Sequence, residues 1–197
     1  MPASRDEDDP YLYPGTKCLQ NKLGLRDPAL LQQAEANLVA RRDAALAMTT
    51  LPGAYDLGHL QAFHRYLFRD VYLWAGSLRS CNLTKGPTTF VQMPMLRRGC
   101  LNVLSGLPEC FTPGLKRQVF VEEATDLLAT LNHLHPFREG NGRTQRAFLR
   151  QLGAGAGWYI DWSQLDREEN VTASTVSVLG SNEPLRALLD DCVRPAV

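Results

Sequence analysis

Neither sign of charge is in excess: 21 lysines and arginines stand against 21 aspartates and glutamates in 197 residues. A nucleic-acid groove or an anionic membrane surface usually carries a basic surplus, so neither is expected as a partner. No C-x-x-C pair occurs. Cys18, Cys81, Cys100, Cys110 and Cys192 are odd in number and scattered. They read as free thiols of a reducing cytoplasm, which excludes a disulfide framework and argues against zinc. No apolar run is long enough for a membrane helix, and the first residues are acidic where a secretory signal would be basic. Internal repeats and linkers are also missing, so the length suits one domain with an ordinary core.

What is present is concentrated in one stretch, His135-Pro136-Phe137-Arg138-Glu139-Gly140-Asn141-Gly142-Arg143-Thr144-Gln145-Arg146. Pro136 stops the helical pattern before it, and Gly140 and Gly142 free the backbone. A glycine-flanked loop entering a helix presents unbonded N–H groups, which with the helix dipole attract phosphate. Arg143 in the first helical turn opposes that dipole by roughly 0.3–1 kcal/mol, a penalty a bound anion would remove. Arg143 and Arg146 are three apart and share a helix face. Glu139 is the loop's one carboxylate, enough for Mg²⁺, which takes one or two carboxylates beside phosphate oxygens. An unperturbed imidazole titrates near neutrality, so His135 suits a general base. The stretch reads as a phosphate-binding loop with a built-in base.

This stretch resembles the signature of the Fic family, His-Pro-Phe-x-(Asp/Glu)-Gly-Asn-Gly-Arg-x-x-Arg, at every fixed position. Trp74-Ala75-Gly76-Ser77-Leu78-Arg79 resembles a second hallmark of the family, and Tyr13-Pro14-Gly15 resembles a common entry segment. The resemblance implies an all-α, Fic-type helical domain with a small β-hairpin flap over the active-site loop. It implies a protein adenylyltransferase, moving AMP from ATP to a Ser, Thr or Tyr hydroxyl of a target protein. It makes His135 the base and Glu139 the Mg²⁺ ligand. Gly140, Asn141 and Gly142 become the anion hole, Arg143 the β-phosphate grip and Arg146 the reach towards the γ-phosphate. Phe137 is implied as a buried anchor.

Taken in order, residues 1–10 are expected as an acidic flexible tail and 11–197 as the Fic domain. Asp27-Pro28 starts a helix to about Met48, with Leu30, Leu31, Ala34, Leu38 and Ala45 near one side. Asp56 caps the next, whose stripe is Leu60, Phe63, His64, Leu67 and Val71. His64 reads as a packed histidine, and His59, five residues earlier, does not pair with it on one face. Arg79 reads as a structural anchor. Cys81–Thr84 and Thr88–Gln92 read as strands around the turn Lys85-Gly86-Pro87. Such an edge can bind an extended target by strand addition. Lys85, Gly86, Thr88, Thr89 and Phe90 are therefore the expected flap contacts, with Lys85 either a contact or a solvated turn lysine. Pro94 opens a helix to about Leu104, and Thr112-Pro113 starts a long one that delivers His135. Helix then runs from Arg143 to about Gly153 and ends in Gly153–Gly157. An extended connector, Trp158–Trp162, leads to helices over 163–178 and 183–192.

Many Fic proteins carry (Ser/Thr)-x-x-x-Glu-(Gly/Asn), whose glutamate engages the second motif arginine. The nearest match, Ser105-Gly106-Leu107-Pro108-Glu109-Cys110, has the wrong last residue and an internal proline. The expectation is a toxin restrained by a separate small antitoxin that supplies a glutamate to Arg146. The expected setting is cytoplasmic, in its own or a recipient cell. Three rivals stand beside AMP transfer. One is the same fold with a UMP, phosphocholine or phosphoryl donor. The second is a catalytically silent interaction module, and the third an AMP-removing hydrolase. Phosphorylating relatives carry a larger residue where Gly142 stands, and His135, Glu139 and Arg143 are all intact.

Overall fold

In the computed structural model, which describes residues 9–86 and 88–196 with the side chain of Arg167 excepted, helices dominate. They are α1 (Pro28–Ala47), α2 (Leu57–Phe68), α3 (Met93–Leu104), the single turn α4 (Leu107–Cys110), α5 (Arg117–Leu134), α6 (Asn141–Ala156), α7 (Arg167–Val178) and α8 (Glu183–Cys192). Two small antiparallel sheets accompany them. β1 (Thr84–Lys85) pairs with β2 (Thr88–Thr89), and β3 (Trp158–Ile160) with β4 (Val193–Pro195). No helix among the described residues is long and apolar enough to cross a membrane. Residues 1–8 of the expected tail and Pro87 of the expected turn lie outside the description.

Local chemistry sets the helix starts. Asp27 accepts from the N–H groups of Ala29 and Leu30, at 2.8 and 3.0 Å, and Asp56 from that of His59 at 2.8 Å. Each satisfies donors that the first turn leaves without a partner. Packing then decides the rest. Helix α6 lies against α1, α2, α5 and β3. Phe63 and Leu67 of α2, Phe120 and Leu131 of α5, and Phe148 and Leu149 of α6 are fully buried between them. The site loop, residues 135–140, therefore joins two helices that are both fixed in the core.

Several expectations need correction. The buried face of α1 is Leu31, Glu35, Val39 and Leu46, whereas Leu30 and Ala45 are exposed. The flap strands are two residues each, far shorter than Cys81–Thr84 and Thr88–Gln92. Beyond them the backbone bonds elsewhere: Val91 N–H donates to the His133 carbonyl at 3.2 Å, and the Cys81 carbonyl accepts from Arg79 at 2.7 Å. Helix α5 begins at Arg117 because Thr112–Leu115 closes as a turn, and Trp158 Nε1 takes the Leu115 carbonyl at 2.8 Å. Helix α6 continues through Gly153 to Ala156. Gly153 is small because the Phe120 ring and the Trp158 carbonyl would each stand 3.0 Å from a Cβ. The connector after α6 is a true strand, β3, held by the C-terminal β4. Asp9 is tied into the fold, pairing with Arg138 at 2.7 Å and capping Tyr11 N–H at 3.0 Å.

Candidate active site

The site begins where α5 ends. His135 is its C-cap in the left-handed conformation (φ 47°), unusual for a residue with a Cβ. Its ring stacks on Phe90, centroids 3.9 Å apart. Phe90 was expected as a target contact; it is instead buried beneath the flap, a face for the imidazole to lie on. Nδ1 of His135 is buried and has no hydrogen-bond partner among the described residues. That leaves Nε2 as the nitrogen for a substrate proton.

Burial is the main cause that lowers the His135 pKa, to about 4. The Asn132 carbonyl and Glu139 oppose this, while Lys85 and Arg79 add to it. The ring is therefore neutral, and able to accept a proton, well below the usual imidazole range. The acid limb of kcat/KM is expected below pH 5; a limb at 6.5 in a pH–rate profile would contradict this. His64 is held lower still, at about 3, chiefly by burial. Both are lowered relative to the unfolded value of 6.5, so the unfolded chain binds protons that the fold refuses. This part of the stability is complete above pH 6.5 and is lost as pH falls through about 4 to 3, which acid titration of urea midpoints would report.

The loop is braced from below. Phe137 is buried and stacks on His64, centroids 3.9 Å apart. Gly76 N–H donates to Nδ1 of His64 at 2.7 Å, so Nε2 carries the proton and donates to the Glu139 carbonyl at 3.0 Å. His64 is thus a structural brace. The Asn141 side chain closes a ring with Phe137, accepting from its N–H at 2.9 Å and donating to its carbonyl at 2.8 Å. Its side chain is therefore committed to the loop, and only its backbone N–H is left for an anion.

Gly140 caps α6 with φ 79°, and a Cβ there would stand 2.1 Å from the Phe68 ring. We predict that Gly140→Ala costs about 2–4 kcal/mol, the left-handed strain plus overpacking. A urea titration reads this as a lower midpoint, and an unchanged midpoint would refute it. The helix ladder starts with Thr144 N–H to the Gly140 carbonyl at 3.0 Å, and no side chain caps the turn before it. The amides of Asn141, Gly142 and Arg143 thus point outward as a ready anion site. Gly142 has neither positive φ nor a packing demand. A Cβ there would meet only Arg146 Nη1, at 3.4 Å. Glycine costs about 1 kcal/mol in a helix, and close approach of a ligand to the backbone is a reason to keep it.

Arg143 lies over the Phe68 ring, and its Nη2 donates to Glu35 at 2.5 Å and to Glu139 at 3.3 Å. Glu139 also accepts from Gly140 N–H at 2.8 Å, all through Oε1. Arg146 is half-buried, and no carboxylate lies within ion-pair distance of it among the described residues. Burial first, and Arg143 second, lower its pKa, with Asp43 opposing. Lys85, Gly86 and Thr89 are exposed and Thr88 is half-buried; Lys85 is close enough to weigh on His135. Glu35, Tyr72 and the hub role of Arg79 escaped the sequence reading. The one available signal was a carboxylate, Glu35, midway between Leu31 and Val39 at four-residue steps.

Fold and site together define a helical domain in which a neutral imidazole and an uncapped helix N-terminus share one loop, as a nucleotide phosphate would require. The Fic/DOC family pattern matches residues 54–152. The protein adenylyltransferase VbhT of Bartonella schoenbuchensis is 37% identical over 183 residues, 92% of this chain and 38% of that protein. The chain thus spans well under half of VbhT. The probable protein adenylyltransferase Fic of Escherichia coli is 32% identical, over 95% of this chain and 94% of its own length. Among solved structures, BepC of Bartonella tribocorum with bound AMPPNP superposes with a TM-score of 0.87 at 29% identity, covering 95% of this chain and 97% of that one. An N-terminal Fic domain from Bartonella quintana with bound ADP superposes at 0.86 and 30% identity, covering 94% of each chain. The chain belongs to the Fic/DOC family.

Proposed function

We propose that this chain is a protein adenylyltransferase, moving AMP from ATP to a hydroxyl of a target protein with release of pyrophosphate. The observation that carries this is the meeting of the His135 ring, at the end of α5, with the uncapped first turn of α6 across one short loop. The target hydroxyl attacks the α-phosphorus, His135 Nε2 takes its proton, and the P–O bond to pyrophosphate breaks. The amides of α6 and the guanidinium of Arg143 hold the departing charge. Positioning and charge stabilisation are the protein's main means of accelerating such a transfer.

A Mg²⁺ ion fits the donors present. No group of three or more acidic, histidine or cysteine side chains forms a cage among the described residues. Glu139 is partly exposed, and its Oε2 has no hydrogen-bond partner among the described residues. One carboxylate with phosphate oxygens and water is a set Mg²⁺ commonly takes. Bound there, the ion would neutralise phosphate charge; the chain's own residues do the binding, aiming and proton transfer.

Two partners complete the reading. A target segment adds to the open edge of the β1–β2 hairpin, above His135. A separate antitoxin supplies a glutamate to Arg146, a half-buried guanidinium with no carboxylate at ion-pair distance among the described residues. Action is in a cytoplasm, the producing cell's or a recipient's; several similar solved structures are of VirB-translocated Bartonella effectors.

Incubation with a bacterial lysate and ATP labelled at the α- or the γ-phosphate tests the transfer. Protein labelled from the α-position alone is expected. Labelling from γ alone would mean phosphorylation and overturn the reading. For the antitoxin, the protein expressed alone is expected to be active. Activity appearing only after a segment of its own chain is trimmed would sink that part.

A further inference from the structure

Glu35 is a carboxylate on the buried face of α1, 6% exposed, more than a hundred residues from the loop it touches. Both of its oxygens are occupied. Oε1 accepts from Arg143 Nη2 at 2.5 Å, and Oε2 accepts from the Tyr72 hydroxyl. Tyr72 is itself packed in the core: it is buried, and its ring stacks on Trp74 with centroids 4.1 Å apart. The Arg143 guanidinium rests on Phe68, the ring that also limits Gly140.

We propose that Glu35 and Tyr72 form a positioning clamp on Arg143, tethering one guanidinium nitrogen so that the remaining donors face the triphosphate. The inference rests on the AMP-transfer reading and names residues that aim its phosphate grip. Only Nη2 carries the ion pairs; Nη1 and Nε make no protein hydrogen bond among the described residues. If Arg143 swung away to meet phosphate, it would leave a buried carboxylate uncompensated, which is strongly unfavourable. The guanidinium is therefore expected to stay tethered and to offer its other edge. The same tether draws Arg143 from Glu139, which lies at 3.3 Å against 2.5 Å for Glu35. Glu139 is thereby left freer for a cation.

The direction of the effect separates a clamp from a mere counter-charge. Deleting a negative charge beside an anion site should by itself tighten triphosphate binding. Loss of aim should weaken it. The test is calorimetric titration of the whole chain with AMPPNP and Mg²⁺, with KM for ATP measured alongside. E35L, which packs but accepts no hydrogen bond, is expected to weaken AMPPNP binding about tenfold through loss of a charge-assisted bond. E35Q keeps an acceptor for Arg143 and is expected to bind within about threefold of the unsubstituted protein. Y72F is expected to fall between the two.

Unchanged or tighter binding by E35L, or E35Q as weak as E35L, overturns the clamp. A fall in thermal stability with unaltered nucleotide affinity would make Glu35 merely structural, and overturns it as well. Should E35L fail to fold, Y72F decides, and unchanged affinity in Y72F refutes the proposal. Failure of the unsubstituted protein to bind AMPPNP would remove the AMP-transfer reading first, so the two failures are distinguishable.

Discussion

His135→Ala is expected to lower kcat/KM for transfer by about 10³-fold while the melting temperature stays within a few degrees. A positioned general base contributes about 10²–10⁴-fold, which sets the scale. The fold should tolerate the change for three reasons. The ring is only half-buried, its buried Nδ1 has no hydrogen-bond partner to lose, and alanine meets the left-handed φ of 47° with the same Cβ that histidine has. The anchoring of the loop comes from Phe137, Asn141 and His64, which are untouched. Substrate affinity should change little, because the imidazole is assigned no contact with phosphate. Steady-state transfer and a thermal scan on the same purified variant check both halves. Transfer near the unsubstituted rate would end the assignment of His135 as base. A collapse in melting temperature would mean that the ring supports the flap through Phe90 more than it serves the chemistry.

Arg79→Ala should be the most destabilising single change near the site. Its guanidinium is almost fully buried and donates to four carbonyls, those of His135, Cys81, Val91 and Leu134. Its own N–H reaches the Pro136 carbonyl at 2.9 Å. One side chain therefore joins the end of α5, the first residues of the loop and both sides of the flap base. Hydrogen bonds from a charged donor are worth about 1.5–3 kcal/mol each, and a buried acceptor left unpaired costs about 1–3 kcal/mol. Water entering the space would recover part of this, so a net loss of about 3–5 kcal/mol is expected. That is a large share of the ~5–15 kcal/mol typical of a domain. Urea unfolding would register it as a lower midpoint at unchanged slope. The substitution should also cut activity beyond the fraction unfolded, because His135 loses the carbonyl contact that holds its backbone. A midpoint shift below about 1 kcal/mol would show the carbonyls to be solvated already.

How much was legible beforehand depended on the range of the interaction concerned. Asp27-Pro28 and Asp56 announced helix starts because capping is a contact between residues two or three apart. The stripe from Leu60 to Val71 announced a buried face for the same reason of short range. The loop from His135 to Arg146 was readable as a unit because its glycines, arginines, carboxylate and imidazole are adjacent in the chain. The face of α1 was misread because its apolar residues do not form one clean stripe. Which side turned inward was settled by partners on α2 and α6, and by a glutamate that only Arg143 and Tyr72 make tolerable. Phe90 counts as a flap contact when the hairpin edge is taken to run through it, yet β2 ends at Thr89 and the ring is buried against the imidazole of His135. Helix α6 outran its glycines because packing against Phe120 and Trp158 outweighed their poor propensity.

By itself, then, the sequence determined the helical segments, the composition of the site loop and the chemistry that loop can perform, since these are written in neighbouring residues. Only the tertiary structure decided what supports the loop: Arg79 under its first residues, His64 under its middle, and Glu35 with Tyr72 behind its arginine. Those contacts join positions tens to more than a hundred residues apart, and a pairing at that distance leaves no periodic trace in a single chain.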